Sequence, residues 1–181
     1  MGTTRALRDG LDVRATPRQI EVLTLLALHP DGLGLETLHA HLYGDREVRR
    51  ATLKAEISHL RDRLRGGIAS RPYRLEGAWS ADCTEVLERI QAGDARGAVV
   101  LARGALVPRS ISPKLEEWRQ FIEIALRESV LRAGDLEALW MYAERHTDDL
   151  EVWLLASHQL PEVDARVPLV RARIRLILER G

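Results

Sequence analysis

Through most of this chain apolar residues recur three and four positions apart, and they alternate with polar ones only in two short stretches. That contrast predicts helices joined by brief hairpins. In the first alternating stretch, Leu7, Leu11 and Val13 flank Asp9-Gly10, whose residues both tolerate positive φ and so favour a two-residue hairpin turn. Thr16-Pro17 then opens a helix, because the threonine hydroxyl caps free N–H groups and proline suits the first helical position. Ile20, Leu23, Leu26 and Ala27 share its apolar face, and His29-Pro30-Asp31-Gly32 ends it. Leu35, Leu38 and Leu42 predict a second, shorter helix. A third runs from about Arg49 to Leu64, with Leu53, Ile57, Leu60 and Leu64 forming one apolar stripe on an otherwise polar, basic rod. Gly66-Gly67 stops it. The second alternating stretch, Ile68 to Leu75, predicts a hairpin with Arg71-Pro72 near its tip.

From Asp82 onward every signal is helical: Glu85–Ala92, Ala95–Arg103, Lys114–Ala133, Leu136–Arg145, Leu150–Leu160 and Val167–Glu179. One device occurs twice, at Ala92-Gly93-Asp94 and Ala133-Gly134-Asp135. There glycine closes a helix and aspartate caps the next. The expected fold is therefore mainly α. A winged helix-turn-helix over residues 1–78, with three helices and short hairpins, precedes an all-helical domain of stacked helical hairpins over 79–181. The junction falls near Gly77–Ala81.

Composition narrows the function classes. The formal net charge is zero, but Arg46 to Arg74 holds nine Lys or Arg against three Asp or Glu, a local excess of about six positive charges. Residues 82–181 hold fourteen basic and seventeen acidic side chains. One cysteine, Cys83, cannot form an internal disulfide, and no apolar run approaches the roughly 18 residues of a membrane span. The start lacks the hydrophobic segment of a signal peptide, so the expected location is the cytoplasm, with no membrane partner.

The order hairpin, helix, helix, basic helix, hairpin suits double-stranded DNA. A helix fits the major groove, about 12 Å wide. The third helix, spanning about 49–65, would bury its leucines and offer bases the opposite face: Arg50, Lys54, Ala55, Ser58, His59, Arg61 and Arg65. Arg49 and Thr52, in its first turn, complete the candidate contacts. Arg and Lys pair with guanine edges or phosphates, while Ser and Ala permit close approach. Arg71 and Arg74 on the last hairpin, a wing at about 67–76, would reach a phosphate or the minor groove. The start of the second helix, near Leu35-Glu36-Thr37, would offer its free N–H groups to a phosphate.

Thr16-Pro17-Arg18-Gln19-Ile20-Glu21-Val22-Leu23, Leu42-Tyr43-Gly44-Asp45, Ile57-Ser58-His59-Leu60-Arg61-Asp62-Arg63-Leu64 and Tyr73-Arg74-Leu75 resemble the DNA-binding domain of OmpR/PhoB-type regulators. Leu26-Ala27-Leu28-His29-Pro30, Thr52-Leu53-Lys54-Ala55-Glu56, Ser70-Arg71-Pro72-Tyr73-Arg74-Leu75 and Gly104-Ala105-Leu106-Val107-Pro108-Arg109-Ser110 are similar to the C-terminal half of actinobacterial GAF-domain-containing regulators. The second half also resembles the helical activator domain of antibiotic-regulatory proteins. These resemblances imply a sequence-specific transcriptional regulator, with Lys54, Ala55, Ser58, His59 and Arg61 on reading positions and Arg71 and Arg74 on the wing. The chain departs from the OmpR/PhoB pattern in a short N-terminal sheet and a very short wing. It carries no receiver or GAF sensor, so it reads as a stand-alone member or a fragment of a longer regulator.

Other chemistry is thinly represented. His39 and His41 sit about 200° apart around a helix and cannot share a metal. Glu116, Glu117, Glu123 and Glu128, interleaved with Arg119 and Arg127, read as surface ion pairs. Trp118, Trp140 and Trp153 read as packing residues, and Arg171, Arg173, Arg175 and Arg180 as a solvated face. No phosphate loop, nucleophile elbow or metal motif is present, so neither an enzyme nor a cofactor is expected. Candidate partners of the helical half are a second copy, RNA polymerase or a sensor domain. The alternative reading is a protein-interaction module that docks partners without DNA.

Overall fold

The computed structural model describes residues 15–64 and 66–180, with the backbone of residues 7–8 and 11–12. The Asp9-Gly10 turn, Val13 and Arg65 lie outside the described residues. The fold is mainly α. In chain order the elements are β1 (Leu7–Arg8), β2 (Leu11–Asp12), α1 (Pro17–Ala27), α2 (Leu35–Tyr43), α3 (Arg50–Arg63), β3 (Ile68–Ser70), β4 (Tyr73–Leu75) and β5 (Trp79–Ser80). Then follow α4 (Asp82–Gln91), α5 (Ala95–Leu101), α6 (Pro113–Ala133), α7 (Leu136–Ala143), α8 (Leu150–Gln159) and α9 (Val167–Leu178). Two compact units form: Met1–Glu85 with Ala102–Ile122, and Val86–Leu101 with Glu123–Gly181.

In the first unit, Thr16 and Gln19 make a reciprocal cap on α1. The Gln19 N–H donates to Thr16 Oγ1 at 3.2 Å and the Thr16 N–H donates to Gln19 Oε1 at 3.1 Å. Leu25, Leu26, Leu38, Leu42, Leu53, Ile57, Leu60 and Ile68 are fully buried. Each such aliphatic side chain stabilises the fold by about 1.5–3 kcal/mol relative to its exposed state. β3 pairs antiparallel with β4, Ile68 opposite Leu75 and Ser70 opposite Tyr73. Leu33, just before α2, extends this ladder. Its N–H donates to the Tyr73 carbonyl at 2.8 Å and its carbonyl accepts the Tyr73 N–H at 2.9 Å. Gly32, at φ +87°, lets the two backbones meet. β1 pairs with β2 as expected and, beyond expectation, with β5, so a strand from the supposed junction closes a three-stranded sheet.

The same unit takes in Ala102–Ile122. Arg119 gathers this segment by donating to the carbonyls of Leu106, Val107 and Ser110. Ser112 Oγ donates to the His41 carbonyl at 2.7 Å, and Arg46 donates to the Ile111 carbonyl at 3.2 Å. These bonds tie the segment to the end of α2.

In the second unit the repeated turn device is realised. Gly93 and Gly134 adopt φ of +75° and +58°. Asp94 accepts the Gly97 N–H at 2.8 Å and Asp135 the Ala138 N–H at 2.7 Å. Three arginines are tightly held there: Arg127 by Asp149 and Glu151, Arg96 by Asp135, and Arg166 by Asp164 and Glu137. Among the described residues no helix is long and apolar enough to cross a membrane.

Candidate nucleic-acid interface

The α3 helix separates its two faces by spacing alone. Leu53, Ile57 and Leu60 are 0–2% exposed, and Leu64 caps the helix end at 8%. The opposite arc is solvent-facing: Arg49, Arg50, Thr52, Lys54, Ala55, Ser58 and His59 are exposed, and Arg61 is half-buried. Arg50, Lys54 and Arg61 stand at i, i+4 and i+11 and line one flank. Ala55 and Ser58 lie in the middle, where short side chains keep the backbone accessible. Arg71 and Arg74 are exposed on the β3–β4 hairpin.

The cations differ in their partners. Arg49, Lys54, Arg61 and Arg71 have no ion-pair partner among the described residues. Arg50 is engaged by Glu36 of α2, both side chains more than half exposed. Arg74 lies 3.9 Å from Glu76. Glu36 also occupies the first turn of α2, whose N-cap Gly34 offers no side-chain cap. A phosphate at that helix start would therefore meet a carboxylate.

Beneath the face lies a polar bracket that sequence reading missed. Gln19 of α1 is 3% exposed. Its Nε2 donates to Glu56 Oε2 at 3.3 Å, and its Oε1 accepts from Arg63 Nη1 at 3.3 Å. The capping signal Thr16-Pro17 was visible, but the role of Gln19 in the cap and its reach to another helix were not. Tyr43 at the end of α2 is buried, with the guanidinium of Arg18 4.6 Å from its ring centroid and that of Arg46 5.7 Å away. His39 Nε2 donates to the Val48 carbonyl at 2.7 Å, fixing the connection into α3.

The remaining candidates fall where packing puts them. His41 stands beside His29, ring centroids 5.4 Å apart, and burial, then the neighbouring His29 and Lys114, hold its pKa below the ordinary imidazole value. Cys83 is buried, and burial, then Asp82, pushes its thiol up to about 12. Glu116 pairs with Arg119, Glu117 with Lys114, Glu123 with His146 and Glu128 with Arg127. Trp140 and Trp153 meet edge to face at 5.7 Å, and Trp118 packs edge-on to His29. On α9, Arg171, Arg173 and Arg175 lack ion-pair partners among the described residues, while Arg180 lies 3.8 Å from Asp148.

No known family's sequence profile matches this chain. It is 34% identical over 186 aligned residues, 97% of its own length, to an uncharacterized 47.3 kDa protein in the thcA 5′ region of Rhodococcus erythropolis. The match takes in 41% of that relative, so the chain spans about two fifths of its length.

Proposed function

We propose that the first unit is a winged helix-turn-helix that binds double-stranded DNA as part of a transcriptional regulator. In this reading α3 lies in the major groove and the β3–β4 hairpin serves as the wing. The carrying observation is the split face of α3. Its leucines are buried, while Lys54 and Arg61 stand with Arg49 at the surface without carboxylate partners among the described residues. Cations held free of acid partners displace counterions from a duplex, the main source of affinity for any sequence. Ala55, Ser58 and His59 between them admit base edges. The element order and the likeness of residues 16–76 to OmpR/PhoB-type domains support the same reading. The second unit would dimerise, or dock polymerase or a sensor domain. The exposed Leu169, Leu176 and Leu178 of α9 favour such a docking role for it.

The test is titration of fluorescent duplexes at several salt concentrations. Log K should fall linearly with log salt, by about 0.9 per neutralised phosphate. Lys54→Ala and Arg61→Ala should each weaken binding and flatten that slope by about one contact. Salt-independent or absent binding, or a slope untouched by both variants, would refute the assignment and leave the protein-docking reading.

A further inference from the structure

The Gln19 amide touches α3 at two points two turns apart, Glu56 and Arg63. An amide has one donor end and one acceptor end, and here the donor meets the carboxylate and the acceptor meets the guanidinium. Because Glu56 and Arg63 differ in charge, the bracket has a polarity. Sliding α3 by one turn, or rolling it, would break at least one of its arms. Leucine packing against Leu53, Ile57 and Leu60 tolerates small rolls, since apolar contact is not directional. A hydrogen bond is directional and is lost within a few tenths of an ångström. Gln19 is itself fixed, because its Oε1 also accepts the Thr16 N–H and its own N–H donates to Thr16 Oγ1. The start of α1 is thereby tied to α3, the helix that carries Lys54, Ser58 and His59.

We propose that Gln19 is a positioning residue that sets base selectivity, acting through Glu56 and Arg63 without touching DNA. This rests on reading α3 as the DNA-reading helix. Non-specific attraction depends on how many cations face the duplex and survives a small roll. Base discrimination depends on where each side chain points and does not.

The experiment uses the full chain and two duplexes, one enriched from random sequence by the wild type and one scrambled. In Gln19→Leu and Gln19→Glu the ratio of the two dissociation constants should fall about tenfold, while affinity for the scrambled duplex and its salt slope hold. Gln19→Glu keeps the shape and both acceptor bonds but sets a carboxylate against Glu56, and the double variant described next relieves that repulsion and reports even if the single variants fail to fold. Adding Glu56→Gln to Gln19→Glu restores a donor opposite an acceptor and should recover the ratio. A ratio unchanged in Gln19→Glu, or both affinities falling together, would overturn the positioning role and leave DNA binding intact. No salt-dependent binding by the wild type would overturn the reading of the site, and this inference with it.

Discussion

Gly32 is the position where one added methyl should do most harm to the hairpin. A Cβ built there would meet the Tyr73 carbonyl oxygen at 2.7 Å, Pro72 Cγ at 2.9 Å and Arg74 Cβ at 3.1 Å. All three atoms belong to the hairpin. The Tyr73 oxygen is also the acceptor of the Leu33 N–H, so the clash falls on the bond that joins the hairpin to the start of α2. Two costs add. Placing alanine at φ +87° costs about 1–2 kcal/mol. Retreat of β4 weakens the two Leu33–Tyr73 hydrogen bonds, each worth about 0.5–1.5 kcal/mol net. Gly32→Ala should therefore destabilise the first unit by about 2–5 kcal/mol. Gly66→Ala is the internal control, because Gly66 has φ +95° and a Cβ there meets nothing within 4 Å. It should cost about 1–2 kcal/mol, the conformational part alone. Urea denaturation gives the two costs, and amide exchange at Leu33 and Tyr73 localises the difference. Equal costs for the two variants, or undiminished protection of both amides in Gly32→Ala, would refute the reasoning.

Two other outcomes follow from a half-buried imidazole and a buried thiol. His41 has a folded pKa below its unfolded value, so the unfolded chain takes up a proton first as pH falls. Its contribution to stability is full above about pH 6.5 and is lost as pH drops through that value toward the folded pKa. His41→Gln should thus shrink the fall in urea midpoint between pH 7.5 and 5.5, and an unchanged fall would show that His41 does not carry it. Cys83, its thiol raised to about 12 by burial, should resist a thiol-reactive disulfide reagent at pH 8 in the native protein and react fully in denaturant. Fast native labelling would contradict the packing around α4.

Much of the architecture was legible because its causes are local. Thr16-Pro17 marks the start of α1, Gly93-Asp94 and Gly134-Asp135 mark turns, and the spacing of Leu53, Ile57 and Leu60 marks the buried face of α3. β5 was not legible. Trp79–Ser80 is too short to alternate, and it pairs with residues some seventy positions earlier. The return of Ala102–Ile122 to the first unit was equally hidden, because it depends on Arg119 and Ser112 finding backbone carbonyls, which leave no periodic trace. At the candidate site, the exposed cations were readable from helical spacing. The Glu36 partner of Arg50 and the Gln19 bracket were not, since both join residues on different helices.

A net charge of zero says little of how this chain's cations are distributed, for a reason the ion pairs make plain. A guanidinium 2.6–3.0 Å from a carboxylate forms a dipole whose field fades faster than that of a lone charge. Arg96, Arg127 and Arg166 are neutralised in this way. Within one Debye length, about 8 Å at physiological salt, where a lone cation still acts on a duplex, the two members of such a pair largely cancel. Lys54, Arg49, Arg61 and Arg71 have no carboxylate to cancel them among the described residues. A chain with equal numbers of acids and bases can therefore present a positive face wherever its acids are spent elsewhere. What a polyanion senses is the tally of uncancelled cations on one face, and on α3 the apolar stripe shapes that tally by leaving Arg50, Lys54, Ser58 and His59 exposed on the opposite arc.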